Sequence, residues 1–463
     1  MPSVESVPFT TAAALAEAGL PRLLTHSPWP SAAAFDWSPA RLAQMAPLLQ
    51  PVRTAARTPP AAAAAFWNPD ATSAARNNST ADFAWRAPAA PPPRAVRTAA
   101  FFSPPPRHAA YHSADLRDAA GAPHADLLPL APLLPLAANG SAPFLKAWLG
   151  TAGALTPCHY DSQHNFYAQL HGEKRFVLLP SRELHARLYI YPSHHPLAHF
   201  SRLPAPLPLA AAAFPRFADA TAHRYELTLR RGDVLYLPPF WAHEATCLRE
   251  CISANAWLPS VEMELMAQAD ALPLPFEEAW PPRVRLAACL GFLARLVEAL
   301  RDGRRALELL LATRWRPRAG RGLEGRGEGR EAWRREPRAS ALPLSSPEEL
   351  LHEDAVAAAL QRDERLDAPI DSPCEPEAHE ANAAKLADYA SRRAAVLNQI
   401  DAPHRDVLLA DQLEQIAYWA AGGAALMLRL LVRLTECTLL AEQLTRSELH
   451  HTSAQCGSDQ SKD

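Results

Sequence analysis

The chain has no CxxC pair, no long apolar run free of charge and almost no net charge. Its seven cysteines stand apart at Cys158, Cys247, Cys251, Cys289, Cys374, Cys437 and Cys456. That scatter speaks against a zinc knuckle or a disulfide framework and fits a reducing compartment, cytoplasmic or nuclear. A net charge of -3 and a pI of about 6.7 leave no chain-wide electrostatic footprint for nucleic acid. The most apolar late run, Trp419 to Leu440, carries Arg429, Arg433 and Glu436, so it reads as an amphipathic helix rather than a membrane span. The first twenty residues, MPSVESVPFTTAAALAEAGL, lack a basic region ahead of an apolar core, which argues against a secretory leader.

What is present in excess is proline, 46 of 463 residues and about twice the average share. Residues 1–110 read as a mixed segment. Short helical pieces at Thr11–Ala18 and Pro39–Leu49 give way to irregular Ala/Pro/Arg-rich chain, with disorder expected around Ala87–Pro106. From Phe144 the texture becomes β-rich, in short runs between turn residues: Phe144–Leu149, Asn165–Leu170, Arg175–Leu179, Tyr225–Leu229, Val234–Leu237, Glu244–Leu248 and Ile252–Leu258. Such a pattern predicts a sandwich or barrel, here with a Pro/Ala surface loop at Leu203–Ala213. Past Pro259 the apolar spacing turns helical over Arg283–Leu311, and Arg314–Arg338 reads as a flexible charged linker. Helices are expected again at Pro347–Gln361, Ala378–Gln399 and Arg405–Leu444, the last breaking near Gly422–Gly423. The expected organisation is therefore a mixed segment (1–110), a β domain (111–262), a helical element (263–313), a linker (314–345), a helical C-terminal region (346–450) and a disordered tail (451–463).

The sharpest chemical signal is His159-Tyr160-Asp161. On a strand, residues i and i+2 share a side, so one imidazole and one carboxylate can meet a single metal ion. One more histidine completes the two-histidine, one-carboxylate facial triad of non-heme iron(II) oxygenases. The triplet alone is weak, because HxD also occurs at His124–Asp126, His352–Asp354 and His404–Asp406. Context singles out the second. Gly172-Glu173-Lys174-Arg175 makes a turn into the apolar run Phe176–Leu179, and Gly232-Asp233 opens a buried run, Val234–Leu237, that a double proline stops just before His243. A folded-over barrel can return His243 to the first two ligands. His164, His171, His194 and His195 read as strand-face or loop histidines, and Cys158 as a small packing residue.

From Thr156 to Trp257 the chain resembles the JmjC-type oxygenases, most closely the asparaginyl hydroxylase subfamily. The matching pieces are TPCHYDSQHNFYAQLHGEKR, YIYPSHHP (Tyr189–Pro196), FPRF (Phe214–Phe217), GDVLYLPPFWAH and Asn255-Ala256-Trp257. The resemblance implies a mainly β core, a double-stranded β-helix of the jelly-roll or cupin kind, with a C-terminal α-helical region. It implies iron(II) on His159, Asp161 and His243, with 2-oxoglutarate and dioxygen as cosubstrates. Lys174 and Thr156 would hold the distal carboxylate of 2-oxoglutarate, Tyr111 would reach the same carboxylate, Asn165 and Asn255 would line the pocket, and Trp257 would pack beside the metal. The implied reaction is hydroxylation of a protein side chain, at an asparagine-type β-carbon, coupled to decarboxylation of 2-oxoglutarate to succinate. The implied partners are a protein or peptide substrate and a second copy joined through C-terminal helices. The tRNA wybutosine hydroxylases share the HxD, Lys and distal-His frame and supply an alternative, as does a non-catalytic binding module. One departure bears on substrate: the Arg-Gln that follows the Tyr-Pro-x-His-His-Pro stretch in the asparaginyl hydroxylases is His199-Phe200 here.

Overall fold

The structure, a computed structural model, describes residues 3–56, 64–65, 94–104, 108–116, 124–127, 131–136, 142–194, 197–203, 205–207, 214, 216–315, 380–422 and 426–435. The linker beyond Trp315, the helix expected at Pro347–Gln361, the terminal tail, residues 87–93, 105 and 106, and His195 and Pro196 lie outside them. Where disorder was expected around Ala87–Pro106, the described residues form the strand Arg94–Arg97 and the helix Thr98–Phe101 instead. The chain divides into a β unit running up to Glu264 and a helical unit from Leu265 onward that also takes in Pro192–His194.

Fourteen described strands, numbered in chain order, build the β unit as two sheets. The larger holds, in spatial order, Glu5–Pro8 (β1), Arg22–Thr25 (β2), Val234–Leu237 (β12), His164–His171 (β9), Cys251–Leu258 (β14), Phe144–Gly150 (β7), His108–Asp115 (β6), Leu48–Ala56 (β3) and Arg94–Arg97 (β5). The smaller holds Tyr225–Arg230 (β11), Glu173–Leu179 (β10), Ala242–Cys247 (β13), Ala154–His159 (β8) and Ala64–Ala65 (β4). The pairs that carry the site are antiparallel: β9 with β12 and β14, β14 with β7, β10 with β13, and β13 with β8. This is the double-stranded β-helix that the sequence leads one to expect.

Alternation along the strands decides which residues face the site. Leu145, Ala147 and Leu149 of β7, Phe166, Ala168 and Leu170 of β9, and Ile252, Ala254, Ala256 and Leu258 of β14 point into one apolar core. The residues between them, Lys146, Trp148, Asn165, Tyr167, Asn255 and Trp257, turn to the opposite face and line a cavity between the sheets. The core face is almost wholly leucine and alanine, with Phe166 and Ile252, and removing these side chains from water favours the sheet.

The N-terminal segment does more than its composition suggests. Strands β1, β2, β3 and β5 all belong to the larger sheet, and Leu24, Trp29, Trp37, Leu42, Leu49 and Val52 are buried in its core. Residues 3–56 are therefore continuous with the β unit rather than irregular. Their Ala/Pro texture hid short strands that gain order from pairing, not from local pattern. The helices expected at Thr11–Ala18 and Pro39–Leu49 are seen at Ala12–Ala18 and Pro39–Met45, each opened by a hydroxyl cap, Thr11 and Ser38.

The turn from β9 to β10 is Gly172, at a φ of 75°. A Cβ there would sit 1.6 Å from the Glu250 carbonyl oxygen, so both backbone hand and space demand glycine.

In the helical unit the stretch read as one helix over Arg283–Leu311 is two, Pro282–Ala299 and Gly303–Leu310. The break comes at Asp302, which has a left-handed φ of 57°. These pack with Glu380–Leu397 and Ala402–Ala421. Inside the helical unit Arg314 is buried and donates to Asp411 at 2.7 Å and Glu414 at 2.8 Å, while the Ser193 amide also donates to Glu414. Among the described residues no helix is long and apolar enough to cross a membrane.

Candidate metal centre and cosubstrate pocket

Strand β8 ends at His159, and Asp161 lies just beyond it, not within a strand as the i, i+2 argument supposed. The segment is fixed by backbone bonds: the Phe240 amide donates to the Asp161 carbonyl at 2.8 Å, and the Tyr160 amide to the His199 carbonyl at 3.1 Å. Phe240 holds a φ of 63°, uncommon for an aromatic residue, and stacks on Tyr160 at 5.7 Å. That turn, after Pro238-Pro239, delivers His243 at the second position of β13, directly opposite His159.

A bulge then brings both ends of β8 to the cavity. His243 pairs with His159 and Ala245 with Thr156, so β8 carries one more residue than β13 across that interval. Without it Thr156 and His159, three apart, would face opposite sides. With it both line the same cavity. Pro157 occupies the bulge, where a missing amide hydrogen costs no ladder bond.

The ligating atoms of His159, Asp161 and His243 all lie within 4.8 Å of one another. His159 Nδ1 stands 2.8 Å from the Pro157 carbonyl and His243 Nδ1 3.1 Å from the Trp241 carbonyl. A carbonyl oxygen only accepts, so each Nδ1 carries the hydrogen and each Nε2 presents its lone pair. The two imidazole rings lie 4.2 Å apart. Burial, followed by the charge of His243, pulls the His159 pKa down to about 4, which keeps its ring neutral and able to ligate. Asp161 is half-buried, and its desolvation opposes the charge, but His243, His159 and hydrogen bonds from Trp257 and Asn165 outweigh this and lower its pKa. Two imidazole nitrogens and one carboxylate make a donor set that can hold a divalent metal ion.

A directed chain of donors ends on that carboxylate. Trp148 Nε1 donates to Asn255 Oδ1 at 2.7 Å, Asn255 Nδ2 to Asn165 Oδ1 at 3.2 Å, and Asn165 Nδ2 to Asp161 Oδ2 at 3.1 Å. Trp257 Nε1 gives the same oxygen a second bond at 3.0 Å. Asn165, Asn255 and Trp257 thus position the carboxylate.

The cavity holds about 340 Å³, and all nine residues singled out from the sequence line it: Tyr111, Thr156, His159, Asp161, Asn165, Lys174, His243, Asn255 and Trp257. At its inner end Lys174 is buried, with Nζ donating to Tyr167 Oη at 2.5 Å and to Ser253 Oγ at 3.3 Å. Burial works against the ammonium charge, but Tyr167, Cys247, Cys251 and Tyr111 more than offset it and raise the Lys174 pKa. The Tyr111 hydroxyl bonds the Thr156 side chain, and burial pushes its own pKa up, so it stays a neutral phenol. Tyr167, Trp148 and Ser253 are additions that sequence reasoning passed over. Each lies two residues from a residue it chose or on the same face of a neighbouring strand, so strict alternation from Asn165 and Asn255 would have found the first and the last.

The remaining HxD triplets go elsewhere. Asp126 Oδ2 accepts a bond from Trp37 Nε1 at 2.8 Å while His124 packs edge-on against the same indole, tying loop to core. His404 and Asp406 sit in the helix Ala402–Ala421, and His352 and Asp354 fall outside the described residues. His164 bonds the Tyr236 hydroxyl at 2.9 Å, and His194 stacks on Tyr418 at 4.0 Å within the helical unit.

Comparison with known proteins matches residues 37–262 to the family described as "Cupin-like domain". Jumonji C domain-containing protein 5 of Drosophila melanogaster is 36% identical over 113 residues, 24% of this chain and 27% of that one. The lysine-specific demethylase JMJ32 of Arabidopsis thaliana is 36% identical over 127 residues, 22% of this chain and 36% of that one. The human bifunctional peptidase and (3S)-lysyl hydroxylase JMJD7 is 34% identical over 128 residues, 24% of this chain and 40% of that one. The chain thus spans between 27% and 40% of the length of these three relatives. The sheet topology, the His159–Asp161–His243 cluster and these matches agree: residues 37–262 match the cupin-like domain family, and the relatives they resemble include a Jumonji C domain-containing protein.

Proposed function

We propose that the chain is an iron(II)- and 2-oxoglutarate-dependent oxygenase that hydroxylates a protein side chain, at an asparagine-type β-carbon. The observation that carries this reading is the convergence of His159, Asp161 and His243 within 4.8 Å in a cavity whose inner end is a buried lysine. The donor set fits iron(II): both Nε2 atoms are freed by Nδ1 bonds to carbonyls, and the carboxylate is held ionised by two N–H donors. When bound, iron(II) would supply the activation of dioxygen, with 2-oxoglutarate decarboxylated to succinate and one oxygen atom passing to a substrate C–H.

The protein's own share is placement. The Lys174 ammonium takes the distal carboxylate of 2-oxoglutarate as a charge-assisted hydrogen bond, with Thr156 and Tyr111 offering hydroxyls beside it. Asn165 and Asn255 keep the metal-binding carboxylate in one orientation. Trp148, Phe176 and Trp257 narrow the cavity and exclude water. Relatives named as a lysyl hydroxylase and a lysine-specific demethylase support a protein side chain as the substrate.

The test is succinate formation from 2-oxoglutarate by the purified chain with iron(II) in air. Iron-dependent turnover is expected, falling on the order of a hundredfold or more in His159→Ala and Asp161→Ala. Turnover that survives both substitutions, or no binding of iron or 2-oxoglutarate by the unaltered chain, overturns the reading.

A further inference from the structure

The buried lysine at the inner end of the cavity is tied to the opposite sheet. Lys174 lies on β10 in the smaller sheet, whereas Tyr167 on β9 and Ser253 on β14 belong to neighbouring strands of the larger one. The Tyr167 phenol spans the gap: Lys174 Nζ donates to its Oη at 2.5 Å and to Ser253 Oγ at 3.3 Å. Tyr167 Oη and Ser253 Oγ are bonded to each other, and Ser253 Oγ donates to the Trp148 carbonyl at 3.3 Å.

The two ends of this set fix its direction. An ammonium only donates, and a carbonyl oxygen only accepts. Ser253 spends its one hydrogen on Trp148, so its oxygen accepts from both Tyr167 and Lys174. Tyr167 in turn gives its hydrogen to Ser253 and turns a lone pair to Lys174. Burial raises the Tyr167 pKa, which keeps the phenol a neutral hydroxyl able to make both bonds. The ring is itself fixed, buried and edge-on to Phe176 at 5.0 Å. A lysine stem is flexible and its ammonium turns freely; two acceptors on rigid strands stop both motions here.

We propose that Tyr167, held by Ser253, is a positioning residue for the acidic ligand of this cavity: it fixes the Lys174 ammonium so that the ligand's far carboxylate meets a cation already in place. The proposal rests on the oxygenase reading for the identity of that ligand, 2-oxoglutarate. It makes affinity for the far carboxylate depend on a hydroxyl of the other sheet as well as on the lysine's charge. A carboxylate that docks on a preset ammonium avoids the entropy of ordering a long side chain at the moment of binding.

The test compares two ligands that differ only at the far end: 2-oxoglutarate, and 2-oxopentanoate with a methyl group in place of that carboxylate. Each is titrated into the full chain with iron(II) under nitrogen, which reads binding without turnover. The unaltered chain is expected to prefer 2-oxoglutarate. Tyr167→Phe, which keeps the ring and its packing, is expected to weaken 2-oxoglutarate about tenfold or more and to leave 2-oxopentanoate within about twofold. In a Lys174→Met background the same substitution is expected to cause no further loss, which separates an action through the lysine from a general loosening of the pocket. Ser253→Ala is expected to shift the preference the same way by less. An undiminished preference in Tyr167→Phe, an equal loss for both ligands, the same loss without Lys174, or an unaltered chain that does not prefer 2-oxoglutarate overturns the proposal. If 2-oxoglutarate binds but no succinate forms in air, the oxygenase reading fails while the ratio of the two ligands still decides the role of Tyr167.

Discussion

The Asp161 carboxylate is oriented by a line of amide donors, and a break in that line has a measurable cost. Asn165→Ala removes one of the two donors to Asp161 and strands the Asn255 amide without its acceptor. Loss of such an outer hydrogen-bond partner ordinarily weakens metal binding by about 10- to 100-fold. Iron(II) titration of the variant should show that drop with the far-ultraviolet circular dichroism unchanged. His164 gives the pH dependence at this scale. Burial pulls its pKa from 6.5 down to about 4, so the unfolded chain binds a proton in that window that the folded chain refuses. Stability from this residue is complete above about pH 6.5 and is lost as pH falls toward 4, with a slope of at most about 1.4 kcal/mol per unit. His164→Gln should flatten the fall in the urea midpoint over that range. Eight of the nine cavity-lining residues singled out above were legible from the sequence because each sat in a run with a strong local signature, whereas Tyr111, in His108-Ala109-Ala110-Tyr111, lay outside those runs. Tyr167 and Ser253 were not legible, since a tyrosine and a serine on strands read as packing until the strand face is known.

Strands and turns carry their own expectation. Gly172→Ala places a Cβ against the Glu250 carbonyl and asks alanine for a φ of 75°, which should destabilise the β unit by about 1–3 kcal/mol or more. Chemical denaturation checks this, and an unchanged midpoint would mean that the hairpin relaxes freely. Val234–Leu237 could be read to the residue from sequence because a glycine turn and two prolines bound it. Strand β8 could not, because Thr-Pro-Cys-His gives no alternation, and the bulge that puts Thr156 and His159 on one side is defined only by its pairing with β13. The same holds for β2, whose partner β12 lies far along the chain.

At the scale of the whole molecule, the β unit and the helical unit each bury an apolar core, and the helical unit adds a buried ion pair to it. Arg314 is 1% exposed and Glu414 0%, with Asp411 as a further partner. Removing one member of a buried pair typically costs about 3–5 kcal/mol when no other partner remains, and here Asp411 at 2.7 Å still compensates Arg314 in part. Glu414→Ala should therefore lower the unfolding transition of the helices far more than a surface Glu→Ala, whereas joint replacement of Arg314 and Glu414 by apolar residues should recover much of the loss. The helical periodicity of these segments was plain in the sequence, but an arginine at the edge of an Arg-rich run gave no hint that it was buried.

The hydrogen bonds from the two metal-site imidazoles have a consequence for how this centre can change. Each ring is steadied by the peptide oxygen two positions earlier in the chain, Pro157 for His159 and Trp241 for His243. No neighbouring side chain is needed to choose the tautomer, so no substitution around the rings can take that choice away. The surroundings are free to drift toward new substrates while the nitrogen lone pairs stay aimed at the same point, and only a shift in strand register would disarm them.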